Sequence, residues 1–143
     1  MYRVNEFEDA IITALDGAGV KASPFSRKPV SDEFKKEVVT SPKVFVVFIG
    51  ANISTPRTVL TKRILFSFHL FLIARNLRSK SSATRGDVAT LGIYDLLDSV
   101  RNALEGTDLG LNIQPLRFIR ESPFENSESQ SIYRQEWALE IFE

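Results

Sequence analysis

The sequence predicts an α+β fold: a four-stranded, mostly antiparallel sheet with two main helices packed on one face. Apolar residues recur at helical spacing in two stretches, at 6–15 and 93–104. Stretches rich in β-branched and aromatic residues predict four strands, at 43–51, 62–74, 111–120 and 132–142. With 143 residues, 43% of them hydrophobic, the chain has the length of a single domain, residues 1–143, built around one core.

Both predicted helices carry an apolar stripe. In the first, Phe7, Ile11 and Leu15 fall on one face, and we expect Asn5 to cap the helix and Gly17 to end it. In the second, the apolar residues between 93 and 104 keep a 3.6-residue period. Gly106 stands where a left-handed C-cap is needed.

The predicted strands differ in how they are covered. The strand at 43–51 is continuously apolar, so we expect it to be central and buried on both faces. In the strand at 62–74, the even-numbered apolar residues share one face. The last two strands are expected to form a long hairpin around the polar residues 121–130. Residues 22–29 are broken twice by proline, and residues 31–39 suit a short helix or a turn.

The residue types exclude several kinds of function. Lysine plus arginine equals aspartate plus glutamate at 18 each, so no overall field draws the chain to nucleic acid or to an anionic membrane. Cysteine is absent, and His69 is the one histidine, which leaves no thiolate and no converging set of metal ligands. We expect His69 to be a packed strand residue with one nitrogen hydrogen-bonded. We therefore predict no enzyme, no catalytic, cofactor-binding or metal-binding residues, no cofactor and no small-molecule substrate.

Targeting and membrane signals are also missing from the sequence pattern. The first nine residues contain acids where a secretion signal needs a basic flank. The most apolar stretch, 64–74, has about half of the roughly 20 residues that a spanning helix needs. We therefore expect a soluble protein of a reducing, cytosolic compartment.

Charge is segregated along the chain. Arg75, Arg78, Lys80 and Arg85 come together before the next acid, while acids concentrate near the C-terminus, among them Glu125 and Glu128. One interpretation is two solvated loops. The other is head-to-tail self-association, in which these six residues contact a neighbouring subunit or a partner. The last strand is a further candidate, since it could extend the sheet edge of a neighbour.

Several sequence segments, which together cover nearly the whole chain, resemble those of a known protein family. A strand segment at 71–76 is followed by a basic, Ser-rich loop at 75–86. The loop continues through Arg85-Gly86-Asp87 into a helical segment at 91–106. A strand after Pro115-Leu116 and a terminal strand containing Glu136-Trp137 complete the order. In this pattern of glycines and apolar positions the chain resembles the Mu-like phage and prophage tail-terminator proteins.

The resemblance implies a virion structural protein, a small α+β subunit that forms a hexameric ring on the head-proximal end of a contractile tail. There it would end polymerisation of tube and sheath and join the tail to the head connector. The implied partners are copies of the chain itself (a homohexamer), tail tube and sheath proteins, and a head-side connector protein. DNA could pass through the ring lumen without specific binding. The implied location is the neck region of the virion tail, after viral assembly in the bacterial host cytoplasm.

Two other functions stay open at this point. A head-completion or stopper protein of the same virion is separated poorly from a terminator by sequence. A nucleic-acid-binding module using the basic segment 75–85 is the weaker alternative, because the net charge is neutral and the segment lacks interleaved aromatic residues.

Overall fold

The computed structural model describes residues 4–24, 42–54, 63–75, 93–111, 113–126 and 130–142. These residues form two helices and five strands. In chain order the elements are α1 (Val4–Gly17), β1 (Ala22–Pro24), β2 (Lys43–Ser54), β3 (Arg63–Arg75), α2 (Ile93–Leu104), β4 (Arg117–Asn126) and β5 (Gln130–Phe142).

The strands form one sheet in the order β1-β2-β3-β5-β4. The strand β1 pairs parallel to β2, and every other pair is antiparallel. The α+β class is therefore as predicted, with one strand more than the expected four. The additional strand has only three residues and ends at Pro24, so it is too short to show an alternating pattern in the sequence.

The helix α1 packs through Phe7, Ile11 and Leu15, the stripe that the sequence predicts. It begins at Val4, so Asn5 lies inside the helix and the prediction that Asn5 caps it is wrong. The chain leaves the helix through Gly19, which has a φ of 80° and so takes the left-handed conformation expected of a helix end.

The helix α2 runs over the predicted residues, and Gly106 follows it with a φ of 75°, as expected of a left-handed cap. The buried side chains of both helices belong to one core cluster with the even-numbered apolar residues of β3 and with Trp137 and Leu139 of β5. Both helices therefore cover the same side of the sheet, as predicted; we call it the inner face.

The strand β2 lies between β1 and β3, so it is an interior strand as expected, although β3 is the middle strand of the sheet. Val44 to Val47 are buried on both sides of β2, but from Ile49 onward the strand is largely exposed. A β-bulge lies between Phe48 and Gly50, so the change from buried to exposed strand coincides with a break in the regular register.

The C-terminal hairpin differs from its predicted form. Residues 121–126, which the sequence assigned to a turn, continue β4, and the strand begins at Arg117 instead of residue 111. β4 contains Pro123 and two bulges, beside Ile119 and Phe124. Because β4 is an edge strand, Pro123 removes no hydrogen bond that a central strand would need, and the sheet tolerates it.

The opposite side of the sheet, which we call the outer face, carries the odd-numbered side chains of β3. A second apolar cluster of Phe45, Val47, Phe71, Ile73 and Ile132 lies on one half of it, and the Phe124 ring stacks edge-on against Phe71 at 4.9 Å between centroids. The other half carries charged residues.

Candidate interaction surface

The structure describes only part of the charged set that the sequence nominated. Arg78, Lys80, Arg85 and Glu128 lie outside the described residues, and only the backbone is described at Arg75 and Glu125. Arg75 pairs with Gln130 of β5, and Glu125 pairs with Ile132 on the other side of the same strand. Neighbouring strands are about 4.8 Å apart, and the two partner positions on β5 are two residues, or about 7 Å, apart along the strand, so the two backbones lie at the same end of the sheet, separated by roughly 12 Å.

A second group of charges occupies the outer face at the other end of the sheet. Glu140 of β5 receives hydrogen bonds from two arginines on the flanking strands, from Arg63 of β3 and from Arg117 of β4, the latter at 2.7 Å from Nη2 to Oε1. The hydrogen bond from Arg63 holds the pKa of the Glu140 carboxyl below its ordinary value; burial acts against it, and the charge of Arg117 acts with it. The three side chains tie β3, β5 and β4 together across the sheet.

Four residues earlier on the same face of β5, Glu136 has a similar arrangement. Glu136 accepts a hydrogen bond from Nε of Arg120 on β4, and its Oε1 lies 3.0 Å from Nε2 of His69 on β3. His69 and Glu136 are directly opposite each other in the register. As expected, the histidine is a strand residue with a partner for one ring nitrogen.

The group around Glu140 and the group around Glu136 form one surface, which we call the charged half of the outer face. It consists of Arg63, Arg117, Arg120, Glu136, Glu140 and His69. The arginine side chains are 45%, 55% and 64% exposed, whereas those of the two glutamates are 10% and 18% exposed. The guanidinium groups are therefore exposed to solvent, and the carboxylates lie beneath them. Two exposed apolar residues adjoin the charges: Phe142 opposite Arg63, and Ile119 in the bulge beside Arg120.

The helical layer on the other side of the molecule has the opposite charge. The sequence of α1 contains four acids and no basic residue. Of these acids, Glu6, Asp9 and Asp16 are exposed. They follow helical spacing on the side opposite to Phe7 and Leu15, so they point away from the sheet. We call these three residues the acidic stripe.

A buried polar network fixes β5 against its neighbours. Gln135 is fully buried, and its Nε2 donates to the Leu97 carbonyl of α2 at 3.2 Å and to Oε1 of Glu121 on β4 at 3.1 Å. Its Oε1 accepts from Nε1 of Trp137 at 3.1 Å. Because Gln135 lies next to Glu136 in β5, this network holds the strand that carries the glutamates of the charged half.

Other kinds of site are not seen in the part of the chain that the structure describes. No group of three or more histidine, aspartate or glutamate side chains is arranged to hold a metal ion there. Neither α1 nor α2 has the length and apolar character that crossing a membrane requires.

The structure changes two expectations about the C-terminal strand β5. β5 is paired with β3 along its whole length and with β4 over residues 131–138, so over those residues it has no free edge that could extend a neighbour's sheet. Glu136 and Glu140 also belong to the acids that concentrate near the C-terminus of the sequence, and in the structure arginines of the same chain pair with both. Their even spacing in β5 was the signal that they share one strand face.

The chain thus has a small α+β fold whose two broad sides carry charges of opposite sign, a form suited to contacts with other proteins. A family model described as "Bacteriophage Mu, Gp37" matches residues 3–142 of the chain, and the chain belongs to that family. The resemblance to a Mu-like phage family is therefore confirmed, and the family is one of phage structural proteins associated with the virion. No curated protein matches it significantly.

Proposed function

We propose that this protein is the tail terminator of a Mu-like phage or prophage. In this role six copies form a ring on the head-proximal end of the tail tube and sheath, stop further polymerisation and present a surface to the head-side connector. The protein would then reside in the neck of the virion tail, with copies of itself, tube, sheath and connector proteins as its partners.

The observation that carries the proposal is the pairing of family membership with opposite charges on opposite sides of the subunit. Membership in the Bacteriophage Mu Gp37 family supports a structural phage protein. A ring requires each copy to offer two different, mutually complementary surfaces, because head-to-tail contacts are heterologous. The acidic stripe of α1 and the arginines of the charged half supply two such surfaces.

The charged segments at the other end of the sheet remain proposed contacts with a subunit or partner. Arg75 and Glu125 place the start of the basic segment and the acidic end of β4 at that end. Contacts there lie far along the strands from the charged half, so they suit a different neighbour, such as the tube or the connector.

The test is a mass measurement of the purified protein, alone and with tail tube, together with deletion of its gene. We expect a six-fold ring, in solution or on the tube end, and tails of uncontrolled length when the gene is deleted. A protein that stays monomeric on the tube, with deletion leaving tails of normal length, contradicts a terminator. Normal-length tails that fail to join heads support the head-completion or stopper alternative instead.

A further inference from the structure

We propose that copies of this chain join through the acidic stripe of one copy and the charged half of the outer face of the next. This inference rests on the proposed ring and names the surfaces that would build it. It differs from the contact predicted by the sequence, which used the basic segment 75–85.

Charge is the first argument for this pairing. On the charged half, Arg63, Arg117 and Arg120 stand over only two carboxylates, so the exposed part of the surface is basic. The exposed side of α1 is acidic and its helix contains no basic residue. Surfaces of opposite sign attract and select each other, and like surfaces of two copies repel.

Orientation is the second argument. The acidic stripe points away from the inner face, while the charged half lies on the outer face, so one copy offers its two surfaces in different directions. Such a layout cannot form a two-fold contact in which both copies use the same patch. It gives a head-to-tail contact, which closes into a ring when the rotation between neighbours divides a full turn.

Apolar residues supply the third argument. Ile119 and Phe142 are both 54% exposed beside the arginines, and Tyr94 is 48% exposed at the start of α2 in the helical layer. Specific interfaces combine a few buried apolar or aromatic anchors with a polar rim, and isolated charges alone rarely hold a complex. The charged half therefore has both components of an interface, and Tyr94 adds an exposed aromatic side chain elsewhere in the helical layer.

Nucleic acid is a less suitable occupant of the charged half. The chain has a formal net charge of zero, so no overall field would draw a polyanion to these three arginines. A neighbouring copy, in contrast, brings separate carboxylates on a helix that every subunit has.

The experiment is a charge exchange in the full chain, read by sedimentation or mass photometry. Arg117→Glu with Arg120→Glu makes one variant, and Asp9→Lys with Asp16→Lys makes the other. Each variant alone is expected to assemble at least roughly tenfold more weakly than wild type. An equal mixture is expected to regain assembly, because every contact in an alternating ring is then between opposite charges. The matched control is Glu105→Lys, an exposed acid outside both surfaces, which is expected to assemble as wild type does.

Circular dichroism checks that each variant is folded. If the glutamate variant does not fold, Arg117→Gln with Arg120→Gln replaces it, since this change removes the positive charges without adding carboxylates beside Glu136 and Glu140. Weaker assembly of the folded variant at about 0.05 M salt, converging with wild type near 0.5 M, supports a charged contact.

Three results overturn the inference. They are unchanged rings in both folded variants, no recovery in the mixture, or, in a DNA gel-shift assay of the same proteins, loss of DNA binding in the arginine variant with assembly intact. Rings that survive these changes but are lost on Arg78→Glu with Arg85→Glu assign the contact to the basic segment and leave the terminator function standing. Absence of any wild-type ring on the tube counts against the proposed function itself.

Discussion

Replacing Gln135 by methionine tests the buried network that joins β5 to α2 and β4. Methionine has a similar length and no hydrogen-bonding amide, so the packing volume is nearly kept while three hydrogen bonds are lost. The indole N–H of Trp137, which is 1% exposed as a residue, would lose its acceptor in a place that water does not reach. Leaving one such donor buried without an acceptor costs about 1–3 kcal/mol.

The other two partners lose less. The Leu97 carbonyl keeps its bond within α2, and Glu121 keeps Arg101, whose Nη1 lies 3.5 Å from the carboxylate. We therefore expect Gln135→Met to lower the free energy of unfolding by about 2–3 kcal/mol. For a chain of this size that corresponds to a fall in Tm of about 6–9 °C.

Urea unfolding of dilute protein measures the change, and Gln114→Met is the matched control because Gln114 is exposed. The control is expected to change stability by less than about 0.5 kcal/mol. A double-mutant cycle with Trp137→Phe isolates the bond between the two side chains, and we expect the double variant to lose less than the sum of the single losses. A cost below about 0.5 kcal/mol for Gln135→Met, or strict additivity in the cycle, would refute this account.

Two further predictions concern the backbone and acid stability. Gly106→Ala is expected to destabilise the protein by about 1 kcal/mol, because a φ of 75° strains any residue with a Cβ. The control is Gly50→Ala, which is expected to be neutral or mildly stabilising, because Gly50 has no positive φ and an added Cβ would lie in open space. Equal urea midpoints for these two variants would contradict the role of the φ angle. Because Arg63 lowers the pKa of Glu140 in the folded state, the carboxylate stabilises the fold above its unfolded pKa of about 4.3, and this contribution is lost as pH falls through the folded pKa. Glu140→Gln should therefore be less stable than wild type at about pH 7 and should approach it near pH 2; a stability gap that is independent of pH would show that Glu140 does not titrate in this way.

Local sequence patterns were sufficient to predict those elements whose secondary structure depends only on nearby residues. The stripe of α2 and the alternation of β3 are periodic, so their type and approximate bounds follow from spacing. Gly106 shows the same for a helix end, because the left-handed conformation there favours glycine strongly. The shortest strand, β1, has no such pattern, and Pro123 in β4 suggested a turn because an edge position cannot be recognised from one strand alone.

The charged half of the outer face depends on contacts that are distant along the chain. Arg63 and Glu140 are 77 positions apart, and they meet only because β3 and β5 are neighbours in a particular register. A shift of that register by one residue would move every side chain to the other face. For this reason the sequence could suggest that acids cluster near the C-terminus but could not show that arginines neutralise Glu136 and Glu140.

By itself the sequence determined the α+β class, both main helices, the apolar stripe of each and the resemblance to a Mu-like phage family, because periodicity and turn residues act over a few neighbouring positions. Only the tertiary structure decided which strands are neighbours, which charges are paired and which remain exposed, because these depend on packing between elements far apart in the chain. The separation of an acidic helical side from a basic sheet side is a property of that packing.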